Sequence, residues 1–192
     1  KVILNVPVGS GPYLLDRFTF NAQLPEPAPP APSYAADRAL GMETLESWKA
    51  TAATLRLSSA AAERTSALAV SDFQYTQLTS TRLSSLGSAL NNELTFYVWI
   101  PVPPTPYWAG SIGVSVSIPS KGINSQFIGQ QDVLTLEKDT WQRVRLPLTP
   151  ALVTTLQGSY SDLRFELALN RPAQIKPWLI DGLSLGQKPL VP

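Results

Sequence analysis

The sequence predicts an all-β chain: an antiparallel β-sandwich of the jelly-roll kind with an extra N-terminal β-hairpin. Three observations carry this. Residues 111–118, Ser-Ile-Gly-Val-Ser-Val-Ser-Ile, alternate without a break, so Ile112, Val114, Val116 and Ile118 line one face and Ser111, Ser115 and Ser117 the other. That is the period of a strand with one buried side. The rest of the chain offers many short β-prone runs separated by turns rich in its 18 prolines and 11 glycines. Helical periodicity is confined to one short stretch, and such a mixture favours packed sheets over a helical fold.

In order along the main domain, the strand-like runs are Thr51–Leu57, Ala67–Val70, Leu94–Ile100, Ser111–Ile118, Arg143–Leu148, Leu163–Leu169 and Trp178–Leu185. Each is short and rich in β-branched, aromatic or alternating apolar residues. Turn signals separate them: Gly87, Asn91-Asn92, Pro101 to Pro106, Lys121-Gly122 and Pro147 to Pro150. These residues break strands by removing a backbone donor or by accepting unusual φ. Pro150–Gln157 reads as a short helix, with proline at its start and Gly158 past its end.

The chain also repeats itself. Residues 4–20 match residues 169–185 without a gap at an offset of 165, with six of 17 pairs identical: Leu4/Leu169, Asn5/Asn170, Pro7/Pro172, Pro12/Pro177, Leu14/Leu179 and Asp16/Asp181. Similarity at a domain-long period indicates repeated structural units. Residues 1–20 therefore read as the closing hairpin of a preceding repeat. Residues 21–35 read as a linker, with five prolines between Leu24 and Ser33 that favour stiff polyproline II. Residues 36–186 form the sandwich, and 187–192 are a tail or the start of another linker. An isolated hairpin is marginal in water, so the opening segment is expected to pack on its own domain or on a neighbouring copy by strand addition.

Composition excludes several functions. The chain has no cysteine and no histidine, which removes disulfides, thiolate metal sites, imidazole bases and the Ser-His-Asp triad. Net charge is +1 and 15% of residues are charged, so no basic field for nucleic acid exists. No apolar run approaches the roughly 20 residues of a membrane helix. The acids are scattered rather than paired as a glycosidase requires, and Glu137 and Asp139 flank Lys138 in a turn-like segment. No phosphate loop or Gly-x-Ser-x-Gly elbow occurs. The expected protein is not an enzyme.

Four segments carry a family resemblance. Gly41-Met42-Glu43-Thr44-Leu45-Glu46-Ser47-Trp48, Leu57-Ser58-Ser59 through Arg64–Val70, Thr95–Pro101 and Trp178–Leu183 stand in the order and spacing of motifs in carbohydrate-binding modules with the galactose-binding-like jelly roll. The chain resembles that group across residues 41–185. It departs where Thr65 replaces a frequent glycine and Met42 a phenylalanine, which leaves the particular module family open. The resemblance implies a structural Ca²⁺ held by Glu43 and Asp181 with backbone carbonyls, since calcium takes 6–8 oxygen ligands. The alternative is that Glu43 caps a turn and Asp181 faces solvent.

Sugar sites combine flat aromatic faces with a few polar groups. Phe96, Val98 and Ile100 read as core, which turns Tyr97 and Trp99 outward onto a sheet face. The proline-stiffened loop after them presents Tyr107 and Trp108. Asn124, Gln126, Gln130 and Gln131 follow as hydrogen-bonding candidates. The competing reading is that a loop or the N-terminal segment covers these aromatics. Trp48, Trp141 and Trp178 read as packing residues. Two functions follow from the sequence. One is a non-catalytic glycan-binding module of a secreted or cell-surface modular protein, with a polysaccharide partner. The other is a structural repeat of a stalk or filament, with neighbouring copies as partners.

Overall fold

A computed structural model describes residues 39–84, 92–104, 107–173 and 176–185. The predicted hairpin, linker and tail, and the turn residues Gly87, Asn91, Thr105 and Pro106, lie outside the described residues. Eleven strands are described: β1 (Ala39–Leu40), β2 (Trp48–Ala50), β3 (Thr54–Ser58), β4 (Ala67–Ser71), β5 (Tyr75–Ser80), β6 (Glu93–Trp99), β7 (Ser111–Ile118), β8 (Ile123–Asp132), β9 (Trp141–Pro147), β10 (Arg164–Asn170) and β11 (Trp178–Ser184). One α-helix, α1 (Pro150–Leu156), stands between β9 and β10.

The strands form two antiparallel sheets. One has the order β3-β4-β11-β6-β9, with β1 pairing the end of β11; the other has the order β2-β5-β10-β7-β8. The sheets face each other across one core. Ile112, Val114, Val116 and Ile118 of β7 are all buried, as are Leu94, Phe96, Val98 and Ile100 from the other sheet. The predicted alternation is thus the core face of β7. Ser117 is also buried, but on the outer side, where its hydroxyl bonds Glu166 rather than entering the core. β11 is the most enclosed strand, buried at all seven positions.

Two corrections to the strand assignments have physical causes. The expected strand Thr51–Leu57 is broken: β2 ends at Ala50 in one sheet, residues 51–53 turn, and β3 begins at Thr54 in the other. β5 and β8 escaped the pattern. In β5 the inward residues are Thr76, Leu78 and Ser80, so polar side chains interrupt the apolar alternation. They are satisfied locally, Thr76 Oγ1 accepting from Ala52 N and Ser80 Oγ from Phe165 N. β8 is an edge strand and mostly exposed, so burial imposes no period on it.

The helix follows its caps. The Thr149 hydroxyl accepts from Leu152 N at 3.3 Å, Pro150 occupies the first turn, and Leu152, Val153 and Leu156 are buried. At the other end of the sandwich, Arg171 ties loops together. It is 1% exposed, lies 4.1 Å over the Phe73 ring, and donates to the carbonyls of Phe73 and Lys176 at 3.1 and 2.8 Å. Gly110 closes the loop into β7 at φ +114°; a Cβ there would sit 2.3 Å from the Asn170 carbonyl oxygen.

Candidate functional site

Each sheet has an outer face, and the two differ in what covers them. On the six-stranded sheet, one cross-strand row reads Arg56, Ala69, Leu179, Trp99, Trp141 from β3 to β9. The adjacent row reads Ser58, Ala67, Asp181, Tyr97, Arg143, the Asp181–Ala67 step following from the β11–β4 register. Tyr97 and Trp99 do point outward, as the alternation of β6 requires, but both are half-buried. Trp99 and Trp141 pack with Leu179, Ala67, Ala69 and Ala61 in a small apolar cluster separate from the main core. Ala61 belongs to the β3–β4 loop, which folds over this face and takes the covering role.

The same loop builds a carboxylate cluster with Asp181. Asp181 Oδ2 accepts from the backbone N–H of Ala62 at 2.9 Å and of Glu63 at 2.7 Å, while Oδ1 accepts from Gly182 N at 2.8 Å. Asp181 is 1% exposed, not turned to solvent. Its carboxyl is nevertheless pushed up to about 6, because burial and the nearby Glu43 charge outweigh the three N–H donors. Glu63, also buried, is pushed up to about 7 by burial first and by the Asp181 charge second, against Arg64 and Arg143. Glu43 Oε2 accepts from the Thr65 hydroxyl at 2.6 Å. Glu43 Oε1 and Glu63 Oε1 are buried without a hydrogen-bond partner. Gly182, at φ +57°, leaves the space for Glu63: a Cβ there would lie 2.8 Å from its carboxyl carbon.

Hard oxygen donors with two orphaned buried oxygens are the chemistry calcium takes. Among the described residues, no three carboxylates form a ready group for a metal ion. Glu43 and Glu63 would offer such an ion their unpartnered oxygens, whereas the oxygens of Asp181 are taken by backbone N–H groups that organise the loop. Sequence reasoning missed Glu63. Nothing in the residue pattern singles it out; the left-handed Arg64 beside it, at φ +55°, is seen only in the structure.

The outer face of the five-stranded sheet is exposed at its two aromatic residues, Tyr75 and Phe127. Its rows read Tyr75, Asn170, Ser111, Asp132; then Gln77, Ala168, Gly113, Gln130; then Lys49, Thr79, Glu166, Ser115, Phe127, across the strands. The floor is made of small residues, Gly113, Ala168 and Ser115. Two aromatics stand exposed at opposite corners: Tyr75 is 58% and Phe127 62% exposed. Strand spacings of ~4.8 Å and a rise of ~3.3 Å per residue place their Cα atoms roughly 20 Å apart along a diagonal.

A bulge puts Phe127 there. Val114 pairs Gly129 and Ser115 pairs Phe127, so Ile128 is an extra residue. Without it the pleat would turn Phe127 inward; bulges re-aim side chains in this way. The ring rests above the floor, its Cε2 atom 3.7 Å from where a Gly113 Cβ would be.

The sequence-predicted residues therefore do not share one face. Tyr97 and Trp99 belong to the covered sheet. Gln130 lies on the open face beside Gly113. Asn124 and Gln126 are exposed along the edge strand, and Gln131 donates to the Asp132 carbonyl and to Thr135 Oγ1. Tyr107, 88% exposed, and Trp108, 43% exposed, precede Gly110, at the end of the sandwich where the Tyr75 row begins. Tyr75 and Phe127 were missed because each sits in a strand without apolar periodicity.

No protein-family model matches the chain. No curated protein matches it. Solved structures do. One, described as the structural basis for the promiscuous specificity of carbohydrate-binding modules of the β-sandwich superfamily, aligns over 75% of this chain and 58% of its own length, at 13% identity and a TM-score of 0.50. The chain thus spans less than two thirds of that structure. Another is the C-terminal family 22 carbohydrate-binding module of Clostridium thermocellum Xyn10B, aligned over 80% of this chain and 98% of its own, at 11% identity and a TM-score of 0.50. At such identities the likeness is one of fold: residues 39–185 have the β-sandwich jelly roll found in carbohydrate-binding modules.

Proposed function

We propose that this domain is a non-catalytic glycan-binding module of a secreted or cell-surface protein, and that the outer face of the five-stranded sheet is its binding surface. The observation that supports this is the pairing of exposed Tyr75 and Phe127 across a floor of small residues. Pre-formed sugar sites mix aromatic planes with a few polar groups, and this face carries both. The spread of the aromatics suits a chain of several sugars better than a single ring. The matched structures named for carbohydrate binding add weight to the reading. Tyr107 and Trp108 extend the surface at its end; Tyr97 and Trp99 are assigned to packing.

Affinity electrophoresis in polysaccharide gels tests this. Tyr75→Ala and Phe127→Ala should each abolish retardation while the melting temperature holds. Trp99→Ala should retain binding and lower stability. Retardation lost only with Trp99→Ala would return the site to the other sheet.

We also propose that Ca²⁺ is held by Glu43 and Glu63 with backbone carbonyls, while Asp181 fixes the covering loop, so that the ion would neutralise buried carboxylates. A structural-repeat role is a second reading, favoured by the match of residues 4–20 to 169–185. In that reading the hairpin adds to a neighbouring copy; deleting residues 1–20 should then convert oligomers to monomers in size-exclusion chromatography, and monomers from both chains would exclude it.

A further inference from the structure

Glu166 is the one acidic side chain on the inner strands of the open face, and its carboxylate is clamped. Oε1 accepts from the Ser117 hydroxyl at 2.6 Å; Oε2 accepts from the Ser125 hydroxyl at 2.7 Å and from Gln77 Nε2 at 3.1 Å. All three donors are uncharged. An ionised carboxylate has about four lone-pair sites, so three bonds fix its plane and leave about one acceptor position for a guest.

The clamp is built at a local cost. Val116 pairs Gln126 and Ile118 pairs Ile123, so Asn124 and Ser125 stand opposite the single Ser117 in a second bulge. Ser125 takes φ +46°, a left-handed conformation unfavourable for a residue with a side chain. In return its N–H reaches Ser117 Oγ at 2.7 Å and its own hydroxyl reaches Glu166. Strain of this kind gathers where a side chain must be held for function. Glu166 also shares a row with Ser115 and Phe127, which places it about 10 Å from the aromatic, two strand spacings away.

We propose that Glu166 is the specificity-determining residue of this face: its remaining acceptor position takes a sugar hydroxyl, and its charge restricts the ligand to uncharged glycans. This rests on the glycan-binding reading above. A hydroxyl donating to a fixed carboxylate makes a short, charge-assisted bond. A uronate or sulfate at the same place would set like charges against each other in a site whose donors are already used. Arg164, two residues along β10, and Lys49, two strands across, are the cations of these rows, and the three bonds that clamp Glu166 come from neither.

The test uses the whole chain, a panel of uncharged polysaccharides (xylan, mannan and mixed-linkage glucan) and polygalacturonate as the anionic probe. The wild type should bind at least one uncharged polymer, with affinity unchanged between low and high salt, and should not bind polygalacturonate even at low salt. Glu166→Gln keeps the shape and removes the charge; it should weaken the uncharged polymer about ten- to hundredfold, the loss of a charged hydrogen bond. Should that variant melt early, Ser125→Ala removes one clamp bond at an exposed edge and should give a smaller loss in the same direction. Unchanged affinity in both variants overturns the proposal, as does wild-type binding to polygalacturonate equal to that of the uncharged polymers. If the wild type binds no polymer of either kind, the glycan-binding reading falls first and this inference with it.

Discussion

Gly113→Val separates what holds the fold from what the open face does. Gly113 sits in mid-strand on β7, opposite Ala168 and Gln130, with no left-handed backbone to protect. A Cβ added there meets Phe127 Cε2 at 3.7 Å and Ala168 Cβ at 3.8 Å, both ordinary contacts. A strand-interior glycine costs roughly 0.5–1 kcal/mol relative to alanine, and a β-branched residue suits a strand better still. The γ-carbons will push the Phe127 ring, but that ring is 62% exposed and has room to turn. Stability should therefore hold or rise by up to about 1 kcal/mol, a melting shift of roughly 2–4 °C for a domain of this size. Binding should be lost, because the branched side chain fills the floor between the aromatics. Thermal melts and polysaccharide affinity gels read the two effects separately. A variant that melts several degrees earlier would refute the placement of Gly113 on an open face. A stable variant that binds as the wild type does would refute the floor.

The carboxylate cluster gives a pH dependence with a definite sign. Glu63 and Asp181, at about 7 and about 6 in the folded chain against 4.5 and 3.8 ordinarily, hold protons more tightly folded than unfolded. Their contribution is complete below about pH 4 and is lost as pH rises through 6 to 7. In chelator the melting temperature should fall over that range; saturating calcium should raise it at pH 7 by mass action, and a calcium-independent melt would end the metal proposal. Gly110→Ala should cost at least about 2 kcal/mol, because alanine disfavours φ +114° and its Cβ would meet the Asn170 carbonyl at 2.3 Å. A melting temperature within a degree of wild type would show that the loop is not seated there.

How far the sequence discloses this molecule depends on how strongly burial constrains each strand. β7 was legible because one face is fully buried and a one-residue slip would expose four aliphatic side chains at once. The helix was legible from local chemistry alone, a proline at its start and a glycine beyond its end; the Thr149 cap adds to these in the structure. β5 was hidden because buried Thr76 and Ser80 serve as backbone acceptors in positions where the pattern expects aliphatics. β8 was hidden because an edge strand with two bulges has no single period. The proposed binding surface inherits that blindness, since Tyr75 lies on β5 and Phe127 on β8. The outward direction of Tyr97 and Trp99 was readable from alternation, and cover by a loop was one of the two readings open; that the β3–β4 loop supplies it was not readable, because Asp181 and the backbone of residues 62–63 meet only in three dimensions.

That cover is the physical ground for placing the proposed site on one face and not on the other. Both outer faces carry aromatics, and exposed aromatic surface alone would not choose between them. On the six-stranded sheet the Asp181 carboxylate pins the loop by two backbone N–H groups, and Ala61 packs beside Trp99, Trp141 and Leu179. On the five-stranded sheet, among the described residues, the half-buried acceptor Glu166 is satisfied by side chains lying in the sheet itself rather than by a loop backbone. The first arrangement consumes its polar groups in holding a lid, the second in aiming an acceptor outward. The two also lie on opposite sides of a core about 10 Å thick, with no partner in common. Groups so separated act additively. Below about pH 4, or in saturating calcium, loss of the cluster at Glu63 should therefore lower the melting point without changing glycan affinity, while loss of Phe127 should do the reverse.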